Sequence, residues 1–417
     1  MGTIRSRVLE CGMPLIVEPM EGVGSVAITW SLPLGSATDP EGAQGLSTMW
    51  SEMVFRGAGL MDSRAHADAL DRLGLARSSD LGTFHLRLSF TLVGARLPEA
   101  LPVIAEMVRR PRCDAAAVDP VRELALQALA GLRDDPYERA VLAARARHAD
   151  VPLNRSGLGT AGGLAAVTRD AMLAAWEGRV RPVGSVLAIA GAVPDEGEIA
   201  RVLDRVLAGW SGEAPRVTPQ PNPAKGSYHH EQDDSAQVQI VLLHDGPPEP
   251  SPDAIAERVV TSVLSGGMAA RLFSEVREKR GLCYAVSASY GTERTYGRSL
   301  AYVGTTPERA QQSLEVLLAE LARINRPEGT VSEDEFARAL TGIQANLVFA
   351  GESTGARAAA LASDQLKIGR PRPLDELRAR YRALTLGDVR AYLARRELGE
   401  VTVVTLGPAA LRVPERS

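Results

Sequence analysis

Residues 262–287 read SVLSGGMAARLFSEVREKRGLCYAVS, and this stretch combines a helix, a turn and the start of a strand. The charged run before Gly281 is typical of a helix end, and Gly281 is able to terminate that helix in left-handed geometry. Tyr284 is predicted to begin the following strand. Arg277, in the last helical turn, precedes Tyr284 by seven positions. We therefore expect the two side-chain tips to project toward one point.

A second informative stretch, residues 45–58, reads GLSTMWSEMVFRGA. It resembles the zinc-binding helix of the insulinase or pitrilysin type of inverted-zincin peptidases, the family of the mitochondrial processing peptidase. The family pattern there is roughly G-L-A-H-x-x-E-H-M-x-F-K-G-T. Residues 262–287 resemble the C-terminal signature of the same family, in which a small-residue turn, an R-L-F helix and an R-E-K-x-G-L-x-Y segment follow one another. The resemblance extends over nearly the whole chain and implies the fold of the family.

The zinc chemistry of that helix is missing from the sequence. It requires two imidazoles one helical turn apart, with a carboxylate between them as the base that activates a zinc-bound water. Thr48 and Glu52 stand at the two histidine positions, and Ser51 stands at the position of the base. The third ligand of the family, a Glu on another helix, corresponds to Gln127 or Ala128. We expect no metal in this chain, and we interpret Glu52 as a solvated or salt-bridged helix residue.

The six histidines offer no substitute metal cluster, because no two of them are three or four positions apart. The C-terminal signature, by contrast, is intact. In the family, an Arg and a Tyr seven positions apart reach across a closed clamshell to the zinc-bound substrate of the opposite half. The resemblance therefore implies that Arg277 and Tyr284 assist catalysis in trans. A guanidinium binds a peptide carbonyl or carboxylate, and a phenol donates a hydrogen bond to an oxyanion.

Both residues also have an ordinary interpretation. An Arg in a charged helix end is usually solvated, and a Tyr at the start of a strand usually contributes to packing. Cys283 receives no role, since no His is close to it in sequence and a buried strand thiol is commoner than a nucleophile.

An internal repeat divides the chain into two similar halves. Thr168 and Thr385, which are 217 positions apart, each open a helix followed by an apolar strand. The two strands stop at Gly191 and Gly407, which are 216 positions apart. The third matched pair consists of two helices that each begin with a Pro-Glu dipeptide, and these are 209 positions apart. Three matched signals in one order predict a duplication.

The domain boundaries follow from a proline-rich break between the halves. Residues 211–227 read SGEAPRVTPQPNPAKGS and are predicted to be a semi-rigid linker. The sequence therefore predicts a domain at 1–210, which carries the degenerate zinc motif, and a domain at 228–417, which carries the Arg and Tyr signature.

Strands and helices are mixed within each half. Residues 85–93, HLRLSFTLV, alternate like a half-buried strand. Capping-box spacing of Thr305 with Glu308, and of Ser332 with Glu335, predicts two helix starts. Strand pairs followed by helices, without regular alternation, predict an α+β fold in which each domain is a mostly antiparallel sheet with helices packed on one face. The family resemblance adds the expectation that the two domains form half of a clamshell.

Composition excludes several classes of protein. The net charge is -4 over 417 residues and the basic residues are dispersed, so no nucleic-acid footprint is present. No apolar run reaches the roughly 18 residues of a membrane helix. The N-terminus lacks the pattern of a secretory signal, and the three cysteines are odd in number and far apart. We therefore expect a cytoplasmic protein that binds neither nucleic acid nor membrane.

These observations predict an inactive homologue that acts as the non-catalytic subunit of a heterodimeric zinc metallopeptidase. A zinc-bearing paralogous subunit would supply the metal, peptides would be the substrates, and a homodimer is possible when the partner is missing. Three alternatives stay open. The chain could be a structural scaffold, a module that captures peptides without cleaving them, or an independent metallopeptidase with unfamiliar ligands.

Overall fold

Two sheets, both mostly antiparallel, organise the chain. In a computed structural model that describes residues 3–414, eleven strands form these sheets: β1 Arg5–Val8, β2 Pro14–Pro19, β3 Ser25–Leu32, β4 Ala76–Leu81, β5 Leu86–Val93, β6 Val186–Gly191, β7 Tyr228–Gln232, β8 Val238–Gly246, β9 Cys283–Thr292, β10 Gly297–Thr305 and β11 Thr402–Gly407. The strand order is β1-β2-β6-β3-β5-β4 in the first sheet and β7-β11-β8-β10-β9 in the second. Each sheet has one parallel pair, β2 with β6 and β7 with β11.

The same described range contains fourteen α-helices, in addition to short 3-10 turns and a π-helical segment at Phe273–Glu278. They are α1 Leu46–Met53, α2 Ser63–Arg72, α3 Leu97–Arg109, α4 Ala115–Gly131, α5 Pro136–His148, α6 Ala161–Ala166, α7 Arg169–Arg179, α8 Glu196–Val206, α9 Ala254–Ser265, α10 Pro307–Arg323, α11 Glu333–Glu352, α12 Thr354–Ile368, α13 Leu374–Ala383 and α14 Leu386–Arg395. The α+β class is confirmed, and so is the duplication, because the two sheets share one strand order once β1 is set aside.

Local signals mark the matched elements as predicted. The side chains of Thr168 and Thr385 cap α7 and α14, each accepting a backbone amide at 3.1 Å. The stretch HLRLSFTLV contains β5, in which Leu86, Leu88 and Phe90 are buried and the residues between them are not. Side chains that alternate between the two faces produce this pattern.

One of the two predicted capping boxes is confirmed. Ser332 and Glu335 exchange hydrogen bonds of 2.9 and 3.3 Å before the first turn of α11. The other prediction is wrong, because the N-cap of α10 is Thr306 and its side chain makes no capping hydrogen bond. The Thr305 hydroxyl instead ends β10 and donates to the Leu282 carbonyl at 2.5 Å.

The main cores lie between each sheet and its own helices. In β2, Leu15 and Val17 face the main core beside the first sheet, whereas Ile16 faces the other side of that sheet. In β8, Ile240 joins the main core beside the second sheet, and Val241 faces away from it. Both faces of each sheet therefore carry buried apolar side chains and need a cover.

The cover of the second face of each sheet comes from the other half of the sequence. Helix α12 places Ala358, Leu361 and Ala362 on the first sheet, against Ile16 and Ala188. The sequence predicts helices on one face only, and these single helices complete the opposite faces.

Helix α5 makes the reciprocal contact with the second sheet, where Ala140, Val141 and Ala144 pack against Val241 and Val404. Small alanine side chains on both helices allow a close approach to the strands. Each sheet is thus closed by a helix from the opposite half.

Both exchanged helices are also fixed by an arginine. Arg357 on α12 binds Glu18 on β2 at 2.7 Å, and both side chains are buried. Arg139 on α5 binds Glu231 on β7 and Asp233, the latter at 2.6 Å. Arg357 follows Arg139 by 218 positions, which is close to the repeat offset. The two ion pairs are therefore duplicated together with the helices.

The compact units are not contiguous, because of this exchange. The first comprises residues up to 131, 151–220 and 350–373, and the second comprises 132–150, 221–349 and the chain from 374 onward. The domains predicted from the sequence, by contrast, are continuous segments at 1–210 and 228–417. The change of unit between Gln220 and Pro221 lies inside the predicted linker.

Hydrogen bonds hold the ends of that linker. Ala214 donates to the Val183 carbonyl at 2.9 Å, and Gln220 and Val151 exchange two backbone hydrogen bonds.

Among the residues that the structure describes, no helix is both long and apolar enough to cross a lipid bilayer.

Candidate functional site

The start of α1 is built by a glycine and a buried aspartate. Gly45 has a φ of +109°, and a Cβ atom there would lie 2.5 Å from the side chain of Leu164. Asp39, only 5% exposed, accepts hydrogen bonds from the amides of Gly45 and Ser47 at 2.7 and 2.8 Å. Burial raises the pKa of Asp39, and the hydrogen bonds from Ser47 and Gly45 oppose that rise.

Sequence reasoning misses Asp39, since it precedes the N-cap by six residues and lies outside the usual capping distance. Its carboxylate nevertheless binds the first amides of α1, which orients the helix that carries the degenerate zinc motif.

Each polar side chain at the family's zinc positions is bound within the protein. The hydroxyl of Thr48 donates to the carbonyl of Gly157, and that of Ser51 donates to the carbonyl of Thr48 at 2.7 Å. Glu52 accepts two hydrogen bonds from Arg56, at 2.8 and 3.1 Å. The interpretation of Glu52 as a salt-bridged helix residue agrees with this geometry.

The helix predicted to carry the third ligand lies beside α1. Helices α1 and α4 pack together, with Met49 and Val121 in the same buried cluster. Gln127 and Ala128 lie on the last turns of α4 and are exposed. A methyl group has no electron pair to donate, so Ala128 cannot be a ligand.

This donor set does not fit zinc. A hydroxyl, a methyl group and a carboxylate already paired with an arginine replace the imidazoles and carboxylates that zinc sites use. Across residues 3–414, no group of three or more His, Cys, Asp and Glu side chains could hold a metal ion. The frame of two packed helices persists without its ligands.

The histidines have structural partners instead. His148 ends α5 and contacts Thr402 at 2.9 Å and Asp245 at 3.1 Å. Burial, together with the charge of Arg396, lowers the pKa of His244 to about 4.

Arg277 and Tyr284 are brought together in the second unit, as the sequence predicts. The guanidinium carbon of Arg277 lies 5.2 Å from the centre of the Tyr284 ring. The same atom lies 4.7 Å from the centre of the Phe273 ring. Tyr284 is 80% exposed, so its hydroxyl faces solvent.

The turn between these residues has the geometry expected from its glycine. Gly281 has a φ of +59° and donates to the Arg277 carbonyl at 2.9 Å. Leu282 donates to the Val276 carbonyl at 3.0 Å. These bonds end the helical segment and direct the chain into β9. Burial raises the pKa of Cys283 to about 11, which does not suit a nucleophile.

The buried Arg271 anchors the same segment through an ion pair and hydrogen bonds. Arg271 binds both carboxylate oxygens of Glu335, at 2.6 and 2.7 Å. It also donates to the carbonyls of Gly329 at 2.5 Å and Thr330 at 2.8 Å. Burial alone would raise the pKa of Glu335, but the hydrogen bonds from Arg271 and Ser332 and the charge of Arg271 together outweigh burial and lower that pKa to about 2.

Comparisons with known proteins agree with the resemblance in sequence. The family described as "Insulinase (Peptidase family M16)" matches residues 20–158, and the one described as "Peptidase M16 inactive domain" matches residues 166–343. The chain is 27% identical to a protein of Streptomyces coelicolor named an uncharacterized zinc protease, over 98% of this chain and 90% of that protein.

Solved structures share the fold. A peptidase M16 inactive domain from Pseudomonas fluorescens is 21% identical, with a TM-score of 0.87, over 99% of both chains. A protease from Helicobacter pylori is 16% identical, also with a TM-score of 0.87, over 97% of this chain and 100% of its own. With profiles of one family matching both halves, the chain belongs to the insulinase family of peptidases, peptidase family M16.

Proposed function

We propose that this chain is the non-catalytic subunit of a heterodimeric zinc metallopeptidase. Arg277 and Tyr284 would complete the active site of a zinc-bearing paralogous partner, and the complex would hydrolyse peptides. The chain alone would be an inactive peptidase homologue, since its own zinc positions lack ligands.

The observation that carries this proposal is the difference between two sets of polar side chains. Thr48, Ser51 and Glu52 are all engaged in internal hydrogen bonds. Arg277 has no carboxylate within ion-pair distance among the described residues, and the ring of Tyr284 is largely in solvent. A chain that has abandoned one site and kept the other suits an assisting role.

The chemistry of the pair follows from its donors. A guanidinium has five N–H donors and holds its charge at every physiological pH, so Arg277 can bind a carbonyl or carboxylate of the peptide. The phenol of Tyr284 can donate a hydrogen bond to the oxyanion of the tetrahedral intermediate, where charge develops. Zinc in the partner would supply the activated water.

The proposal keeps the cytoplasm as the compartment, and a homodimer stays a possible form of the chain without its partner. The thiols of Cys11, Cys113 and Cys283 are unpaired, as in proteins of reducing compartments.

The test measures cleavage of a quenched, unstructured peptide by the chain alone, by a zinc-motif paralogue alone and by their mixture. We expect activity only in the mixture. Arg277→Ala and Tyr284→Phe should each lower kcat/KM of the mixture about 100-fold, as loss of one oxyanion donor does.

Arg280→Ala is the matched control, because it removes a positive charge three residues after Arg277. The Arg280 side chain is already paired with Glu275. This variant should retain activity. A mixture that is inactive although the paralogue is loaded with zinc would favour a scaffold, or peptide capture if the chain alone binds the peptide.

A further inference from the structure

Arg277 is flanked by aromatic rings rather than by carboxylates. Its guanidinium carbon lies 4.7 Å from the Phe273 ring centre and 5.2 Å from the Tyr284 ring centre. Cation and ring attract each other at such distances, because the face of the ring carries negative charge. The rings thus hold the side chain without neutralising it.

Glu275, a carboxylate two positions before Arg277, is occupied by other cations. Glu275 binds Lys279 at 2.7 Å and Arg280 at 2.8 Å. These bonds lower the pKa of Glu275, with the hydrogen bond from Lys279 the larger cause. Among the basic residues of this charged run, Arg277 is therefore the one without an ion pair in the described part of the chain.

The backbone of this segment supports the stacking. Phe273 and Arg277 belong to one six-residue π-helical segment, in which Lys279 donates to the carbonyl five residues earlier, that of Ser274, at 2.9 Å. Such segments interrupt ordinary helices and are frequent at functional sites. Phe273 is half-buried, which fixes its ring better than that of the exposed Tyr284.

We propose that Phe273 is a positioning residue for Arg277. Its ring occupies one face of the guanidinium and leaves the N–H donors at the edge free for a carbonyl or carboxylate of a bound peptide. This inference rests on the proposed function, because it assigns Phe273 an effect on peptide cleavage that passes through Arg277.

The experiment is a double-mutant cycle in the mixture with the zinc-bearing paralogue. Phe273→Leu should raise KM and lower kcat/KM about tenfold, because an aliphatic side chain fills the space without attracting the cation. Phe273→Tyr should restore most of the activity. In the Arg277→Ala background, Phe273→Leu should cost nothing further, since residues that act through one another are not additive.

Two controls separate positioning from folding. Phe349→Leu makes the same chemical change at an exposed site on α11 and should leave activity unchanged. The NMR resonance of the Arg277 Nε–H group in the chain alone should lie upfield in the wild type and move downfield in Phe273→Leu, because a ring current has been removed.

Each outcome decides between the two proposals. Wild-type activity in Phe273→Leu, or equal losses from that change with and without Arg277, overturns the positioning role and leaves the proposed function intact. Wild-type activity in Arg277→Ala overturns the proposed function itself, and the positioning role with it.

Discussion

Helix α1 and the segment from Phe273 to Tyr284 hold the two motifs of the family, and their polar side chains behave in opposite ways. In α1, Thr48, Ser51 and Glu52 all have partners within two turns or in a neighbouring loop. In the other segment, Arg277 has rings as neighbours and the Tyr284 ring faces solvent.

Polar groups that have lost a ligand gain stability by bonding internally, since an unsatisfied buried group is costly. Polar groups that are kept for a ligand stay available. In the proposed function, α1 carries a retired site and the second segment carries a retained one, and each of the following changes tests that separation.

The largest effect is expected from rebuilding the retired site. Thr48→His, Ser51→Glu and Glu52→His, combined with Ala128→Glu or Gln127→Glu, restore the family's donor set on two helices that are still packed together. We expect stoichiometric zinc with a dissociation constant of about 1 μM or lower, which corresponds to about -8 kcal/mol. Metal analysis after dialysis and isothermal titration would measure it.

The variant that keeps Ala128 and Gln127 is the control and should bind zinc more weakly, because it offers one ligand fewer. Equal, negligible binding by all variants would show that the frame of α1 and α4 has been lost together with the ligands.

The next effect concerns two arginines six positions apart in the retained signature. Arg271 is buried against Glu335 and two carbonyls, whereas Arg277 has no ion pair. Arg271→Ala leaves the half-buried Glu335 carboxylate without its ion pair and should lower the free energy of unfolding by about 3–5 kcal/mol. Arg277→Ala should change it by less than about 0.5 kcal/mol.

Urea unfolding followed by circular dichroism would measure both variants. A large loss of stability in Arg277→Ala would mean that this residue supports the fold, and its use for substrate would then need a different argument.

Much of the molecule follows from local sequence signals. The alternation in residues 85–93, the threonine caps at Thr168 and Thr385 and the left-handed turn at Gly281 are written within a few residues, so short-range reasoning finds them. The degenerate zinc positions follow from the same kind of signal, because ligand spacing on one helix is local.

Other features depend on contacts that no local pattern marks. Arg357 binds Glu18 from 339 positions away, and the exchanged helices α5 and α12 look like ordinary alanine-rich helices in the sequence. Asp39 lies too far from α1 for a capping rule to find it. The stacking of Arg277 on Phe273 occurs in a π-helical segment, which propensities do not predict.

A smaller effect is expected from acid, through Glu335. Its pKa is about 2 in the folded chain, below its ordinary value of 4.5. A carboxylate whose pKa is lower in the folded chain than in the unfolded chain stabilises the fold. This stabilisation is complete at a pH above the unfolded pKa, and it is lost as pH falls from about 4.5 to about 2. Allowing for partial exposure, we expect Glu335 to contribute about 2 kcal/mol at neutral pH.

Glu335→Gln should therefore destabilise the chain at pH 6, and the difference from the wild type should narrow at pH 3. In the Arg271→Ala background, the effect of Glu335→Gln on the free energy of unfolding should no longer decrease between pH 6 and pH 3. The partner that lowers the pKa of Glu335 is then gone. A constant difference across this pH range would contradict the assignment.

The smallest effect is expected at Glu52, the carboxylate that remains in the retired site. Its side chain is 47% exposed and pairs with Arg56 one helical turn away. Exposed pairs at this spacing contribute about 0.3–0.5 kcal/mol, because water screens the charges. Glu52→Gln should lower the free energy of unfolding by that amount. Arg56→Gln should do the same, and the double variant should show no further loss.

Neither change should alter metal content or the activity of the mixture. A loss of activity in Glu52→Gln alone, with Arg56→Gln unaffected, would mean that this carboxylate still takes part in function and that the site in α1 is not fully retired.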